Sequence, residues 1–147
     1  MDFKLEVVML PVTDIDRAKQ FYEKLGWRLD ADFGAPDSDF RVVQFTPPGS
    51  GCSIAFGKGI TTAPPGPLGG LELVVNDIEA ARAEIAGHGI DIGEVYHDAK
   101  LIRHASPSSH VSGPDPQHRS YLSYADFTDP DGNQWIVQEV TQRAPGR

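Results

Sequence analysis

The chain has 147 residues, 39% of them hydrophobic and 23% charged, and carries a net charge of −8. That length suits one compact domain, or two small halves sharing a core, without covalent staples. An acidic chain with no basic run is a poor partner for nucleic acid or anionic membrane, both of which are bound by clustered Lys and Arg. Cys52 is the only cysteine, so an intrachain disulfide is excluded. The first residues lack the apolar core of a signal peptide and no apolar stretch reaches 18 residues, so a cytoplasmic protein is expected.

Residues 5–12 form a short apolar run ending in Pro11-Val12 and predict a strand. Thr13 then offers a helix cap, with Asp16 three residues on as a variant capping box. Ala18, Phe21, Tyr22 and Leu25 fall at helical spacing and make one apolar stripe. Gly26 supplies the left-handed conformation that ends the helix. Strands are predicted over residues 27–33, 40–45 and 52–56, separated by turns at 34–38 and 47–51. The first unit, about residues 5–57, therefore reads strand, helix, three strands. A Pro/Gly-rich linker follows over 58–69.

The second unit, about residues 70–140, repeats the first. At a shift of 63, Leu10, Val12, Asp14, Ile15, Ala18 and Gly26 land on Leu73, Val75, Asp77, Ile78, Ala81 and Gly89. Asp16 lands on Glu79, and Asn76 with Glu79 predicts the second capping box. Phe45-Thr46-Pro47-Pro48-Gly49 matches the segment from Phe127 at a shift of 82, so the second half carries 82 − 63 = 19 extra residues before its third strand. Asp129-Pro130-Asp131-Gly132-Asn133 is a tight turn in which Gly132 or Asn133 takes positive φ. In the strand after it, Trp135 and Val137 point to one face, and Gln134, Ile136 and Gln138 to the other. The pattern predicts an α+β fold of two tandem βαβββ units.

With this duplication in place, two segments carry a resemblance: Val12-Thr13-Asp14-Ile15-Asp16-Arg17-Ala18 with Phe21-Tyr22 and Leu25-Gly26, and Phe127 through Asn133. The chain resembles the vicinal oxygen chelate superfamily, which includes glyoxalase I, bleomycin-resistance and fosfomycin-resistance proteins and extradiol dioxygenases. The resemblance covers residues 5–140 and implies a glyoxalase/bleomycin-resistance fold in a single domain spanning the chain, its two units forming a curved mixed sheet with helices on the outer face and a cleft inside. It implies no one activity, because lyases, transferases, dioxygenases and metal-free binders share the fold.

The resemblance also implies where metal ligands would stand: Val7, its repeat counterpart Gly70, Ile136, and a position near Ala55. None of these side chains donates N, O or S to a cation, so no metal and no other cofactor is expected. Strand parity turns Glu6 and Glu139 to the other face. It assigns Val7, Met9, Glu72, Ile136 and Gln138 to the cleft, with Phe40, Val42, Gln44, Leu122, Tyr124 and Asp126 alternating to the same side. Phe45 and Phe127 are the paired core residues of the third strands. Glu72 is the candidate catalytic residue, since a carboxylate among apolar neighbours has a raised pKa and can act as acid or base; the competing account is a residue that faces solvent or pairs with an arginine.

Residues 98–118 form a non-periodic insert containing His104, His110 and His118, with His97 just ahead. Their spacings of 7, 6 and 8 match no ligand pattern. Solvated loop histidines are the plainer account; a lid is the other, and it predicts that Arg103, His104, His110 or His118 close over the pocket. Asp129-x-Asp131-Gly132 lacks the acidic residue that would complete a calcium loop, Gly66–Gly70 lacks the lysine of a phosphate loop, and Cys52 lacks the context of a nucleophile elbow. Trp27 and Trp135 read as core or dimer contacts.

The preferred reading is a small-molecule binder that takes up an apolar or aromatic metabolite, with Val7, Met9, Gln44, Glu72, Tyr124, Ile136, Gln138 and His110 as candidate ligand-binding residues. The alternative is a glyoxalase-like lyase or isomerase, or a dioxygenase-related enzyme, using Glu72 and loop histidines. The resemblance further implies a homodimer.

Overall fold

The computed structural model describes residues 1–146. They divide into two units, Met1–Leu68 with Asp129–Asn133, and Gly69–Thr128 with the chain from Gln134 on.

In the first unit, β1 (Val7–Met9), α1 (Ile15–Lys24), β2 (Arg28–Gly34), β3 (Arg41–Thr46) and β4 (Ser53–Lys58) give the expected βαβββ order. The strands lie β1-β4-β3-β2, with β1 parallel to β4 and the other pairs antiparallel. The strand predicted over residues 5–12 is cut to three. Its partner begins only at Ser53, opposite Val7, and Pro11 has no N–H to continue a ladder.

The stripe on α1 packs against one face of this sheet. Ala18 and Tyr22 are fully buried, with Leu25 nearly so, and Phe45, Phe56, Val43 and Leu10 meet them there. The Tyr22 ring lies 5.7 Å from that of Phe56 and 6.0 Å from that of Phe45. Gly26 ends the helix at φ 76°, and Gly89 repeats that value after the second helix. The caps stand one residue later than Thr13 and Asn76. Asp14 accepts the Arg17 N–H at 3.0 Å and Asp77 accepts the Ala80 N–H at 2.9 Å. Thr13 is drawn elsewhere, because its N–H and hydroxyl both donate to Asp131, at 3.0 and 2.6 Å.

Asp131 belongs to the turn Asp129–Asn133, which is folded into the first unit around one buried carboxylate. Asp129 accepts from the Asp131 and Asn133 amides, both at 2.9 Å, from Asn133 Nδ2 at 2.8 Å, and from the Tyr22 hydroxyl at 2.8 Å. Of the two candidates in this turn for positive φ, Gly132 takes it, at 80°. The linker is tied to the same turn. The Leu68 N–H donates to Asn133 Oδ1 at 2.9 Å, and a Cβ on Gly66 would stand 2.6 Å from the Asp131 carbonyl, so this glycine permits the close approach.

In the second unit, β5 (Leu71–Val75), α2 (Ile78–Gly87), β6 (Tyr96–Asp98), β7 (His110–Ser112), β8 (Ser123–Thr128) and β9 (Gln134–Glu139) form a sheet of order β5-β9-β8-β6-β7. The α+β class is as predicted, but the strands form two mixed sheets of four and five rather than one. The extra strand comes from the insert, which is built rather than irregular: a 3-10 turn at Pro107–Ser109 leads into β7, and β7 pairs with β6. Phe127, Trp135 and Val137 are buried on the α2 side with Ile78 and Ile92. Trp27 and Trp135 are both core residues. Glu139 points to that side too and accepts the Ile78 N–H at 3.0 Å, at the helix N-terminus where a negative charge is favoured.

Replacing Asp129 by Ala removes the carboxylate that accepts from the Tyr22 hydroxyl, the Asn133 amide group and two backbone N–H groups. The expected loss is roughly 2–4 kcal/mol of unfolding free energy by urea titration, and a change under about 0.5 kcal/mol, the level of a neutral surface substitution, would contradict this account of the turn.

Candidate functional site

Each unit has one helix for a sheet of two faces, so the second face of each sheet carries no helix of its own unit. Pleating decides which residues stand on it.

In the first unit, register places Met9, Ala55, Gln44 and Ala31 in one row across all four strands, with Val7 beside Ser53 in the next. The predicted residues Val7, Met9 and Gln44 therefore share the open face. They are joined by a network the sequence does not announce. The ladder slips between Leu29 and Ala31, and this bulge frees Asp30. Its carboxylate accepts from the Thr46 hydroxyl and, at 2.6 Å, from Arg28 Nε; Thr46 is in turn 2.7 Å from the Ser53 hydroxyl. Donation by Thr46, then by Arg28, holds the Asp30 carboxyl below its ordinary pKa.

In the second unit, one row runs Val74, Gln138, Tyr124, Tyr96 and Ser112, and the next runs Glu72, Ile136 and Asp126. All the predicted residues of this half, Glu72, Tyr124, Ile136, Gln138 and His110, belong to this face. Tyr124 is 3% exposed and stacks on Tyr96 with ring centres 5.6 Å apart; Tyr96 stacks on His110 at 4.1 Å. Three rings thus form a continuous ladder. Tyr124 donates its hydroxyl to the Tyr121 carbonyl at 2.5 Å, and Gln138 Nε2 donates to the same carbonyl at 3.0 Å. Glu72 is exposed on the edge strand β5, without a hydrogen bond or ion pair among the described residues, so its own unit supplies no apolar enclosure around the carboxylate.

The insert brings two more groups here. Arg103 Nε donates to the Tyr96 hydroxyl at 2.7 Å, and the Tyr96 hydroxyl donates to Asp126 Oδ2 at 2.9 Å. Arg103 Nη2 stands 3.5 Å from the same Asp126 oxygen. Burial pushes the Tyr96 pKa upward, and Asp126 adds to the shift, so the phenol stays neutral at physiological pH and passes a hydrogen bond from guanidinium to carboxylate. His110 reaches the face as the ring stacked on Tyr96, its Nε2 lying 2.9 Å from the His104 carbonyl. His104 and His118 turn elsewhere, His104 to Asp98 and His118 to Glu139, while His97 lies 2.8 Å from the Gly113 carbonyl.

What holds the insert is Asp98, a residue without any motif around it. Its buried carboxylate accepts from the Lys100 amide at 2.8 Å, the His104 amide at 2.8 Å and the Ser109 hydroxyl at 2.9 Å, and lies 3.1 Å from His104 Nδ1. Burial pushes its pKa up, but these donors outweigh burial and keep the carboxyl below the usual carboxylate range.

The positions at which the resemblance would place metal ligands hold Val7, Ala55 and Ile136 on the open faces and Gly70 just before β5. Among the described residues no three His, Cys, Asp or Glu side chains come together as a metal-binding group. The donor set does not fit a resident cation.

Residues 4–137 match the family described as the Glyoxalase/Bleomycin resistance protein/Dioxygenase superfamily. The chain belongs to this superfamily. Among solved structures, it is 27% identical to TnmS3, described as an antibiotic binding protein from Streptomyces sp. CB03234, over 95% of this chain and 97% of that one, with a TM-score of 0.67. It is 28% identical to a glyoxalase/bleomycin resistance protein from the same organism, over 92% and 100% of the two chains, at a TM-score of 0.63. A superfamily member from Sphaerobacter thermophilus DSM 20745, 23% identical over 94% and 98%, shares the fold at a TM-score of 0.63. No curated protein matches the chain. Among the described residues, no helix is long and apolar enough to cross a membrane.

Because the folded-state pKa of Asp98 is depressed, the stability it contributes is fully present above its unfolded value and is lost as pH falls through the folded one. Limited proteolysis of the insert is therefore expected to stay slow from neutral pH down to about pH 4, the unfolded carboxylate value, and to accelerate below it. Asp98→Asn is expected to be cut fast at neutral pH with the sheets intact. Equal cleavage of both forms at pH 7 would remove Asp98 as the anchor.

Proposed function

We propose that this superfamily member binds an aromatic small molecule on the open face of its second unit and holds it without converting it. The observation that carries this reading is the Tyr124–Tyr96–His110 ring ladder, edged by Arg103, Gln138 and Asp126. Stacked rings offer a flat ligand a large dispersion contact, worth about 0.5–1.5 kcal/mol per aromatic pair beyond the area buried. A mainly apolar lining with a few convergent polar groups is the usual make-up of a small-molecule site. TnmS3 is described as binding an antibiotic, and a flat antibiotic or similar metabolite is the ligand class this chain is proposed to take. On this reading Val7, Met9 and Gln44 on the first unit's open face also meet ligand.

The proposal includes a homodimer in the cytoplasm. Strands β1 and β5 are sheet edges in their own units, with Met9 and Val74 exposed on them, and an uncovered edge is a natural seat for another chain. Sedimentation should then give twice the 16.0 kDa of one chain.

Titration calorimetry against planar aromatic antibiotics is expected to show saturable binding, with the ligand recovered unchanged by mass spectrometry. Tyr96→Ala should weaken binding by about tenfold, or 1.4 kcal/mol, while Glu72→Gln leaves the ligand intact and the affinity within a factor of two. Turnover that disappears in Glu72→Gln would replace the binding reading with the enzymatic one.

A further inference from the structure

On the second unit's open face, the hydrogen bonds of Arg103 and Asp126 are only half made. Arg103 is 83% buried, since 17% of its side chain is exposed, and a guanidinium has five N–H donors. It uses Nε on Tyr96 and reaches Asp126 with Nη2 only at 3.5 Å, well beyond the 2.7–2.9 Å of a made charge-assisted bond. Nη1 has no acceptor among the described residues. Asp126 has the opposite deficit. Its Oδ2 takes the Tyr96 hydroxyl, while Oδ1 is closed off from solvent and receives no donor. Unused donors of Arg103 and an unused acceptor of Asp126 therefore belong to two side chains that meet at Tyr96, in the ring ladder.

We infer that the ligand is a neutral planar ring system bearing an adjacent acceptor and donor, of the kind found in a primary carboxamide, whose carbonyl meets Arg103 and whose N–H meets Asp126. This rests on the aromatic-binding reading and adds polarity and charge to it. An anion satisfies Arg103 but sets a like charge against Asp126; an ester satisfies Arg103 and leaves Asp126 unpaired. The selectivity comes from leaving the site's own groups unpaired when the wrong ligand enters, the strongest form of discrimination a polar site has. Entry shifts Arg103, whose contact with Asp126 is the longest in the cluster. Because Asp98 anchors the insert, Arg103 moves as a side chain over a held loop.

The test uses the full chain and three probes of one shape: 2-naphthamide, methyl 2-naphthoate and 2-naphthoate, followed by NMR shift titration at pH 7. The amide is expected to bind at least ten times more tightly than either the ester or the anion. Asp126→Ala should bring the amide down to the affinity of the ester while leaving the ester unchanged; Arg103→Gln should weaken amide and ester together, and Arg103→Lys, which keeps the charge and loses the fork, should give an intermediate value. Circular dichroism and the melting midpoint establish that each variant is folded. If the anion equals or exceeds the amide, or if the amide-to-ester ratio survives Asp126→Ala, the inference is wrong. In that event, ester and amide both weakened by Tyr96→Ala would leave the aromatic-binding reading standing. If none of the three probes binds, both readings fall together.

Discussion

Each unit must bury one face of a sheet with a single ten-residue helix, and this constraint sorts every side chain in the strands. The helix side takes what cannot stay in water: Tyr22, Phe45, Phe56 and Val43 in the first unit, Phe127, Trp135, Val137 and Ile78 in the second. The opposite side is then free to carry polar and aromatic groups. A period of two leaves no room for compromise. Ile136 stands on the open face and Trp135 in the core, one residue apart, and a slip of one position would exchange them. The same parity takes Glu139 out of the open face and puts it under the first turn of α2, where its charge caps a helix instead of meeting a ligand.

That constraint explains what could be read from the sequence. The repeat at 63 residues is visible because it consists of the residues that a βα unit requires: an aspartate at each cap, an apolar stripe, a glycine at φ 76° after each helix. Residues of the pleat are legible for the same reason, and Gln44, Tyr124, Ile136 and Gln138 fall where alternation puts them. Caps are less so. Thr13 and Asp14 are both good N-caps, and what decides between them is Asp131, 118 positions away, which takes both donors of Thr13. Asp30 is hidden by a bulge, since one unpaired residue changes the parity of everything before it. Asp98 is hidden more thoroughly. Its donors come from positions 100, 104 and 109, a set with no period, so the insert looks structureless until its backbone is seen folded around one carboxylate.

The superfamily's fold leaves chemistry open. Val7, Ala55, Ile136 and Gly70 stand where the resemblance would place coordinating groups, and what the second unit adds to its open face is rings and a guanidinium. Much of this gain comes from the insert. His110 is directly opposite Asp98 in the β6–β7 ladder and only diagonal to Tyr96, so its 4.1 Å stacking on Tyr96 depends on how the insert enters the strand as well as on register. Arg103 has no place in any ladder and owes its position wholly to the loop.

The residues on the second unit's open face are thus held with unequal rigidity. Tyr124, Ile136 and Gln138 are held by strands with neighbours on both sides and move only if the sheet moves. Tyr96 is on a three-residue strand, Arg103 depends on a loop folded around the buried Asp98 carboxylate, and His110 follows that loop in the short β6–β7 ladder. A loop stabilised in this way has a narrow energetic origin: losing one charge removes several hydrogen bonds together, because all of them converge on the same two oxygens. A clasp of this kind gives the insert one defined conformation without adding to the core. The position of Arg103 is thereby tied to the anchor, since the backbone at His104, one residue on, is held by Asp98.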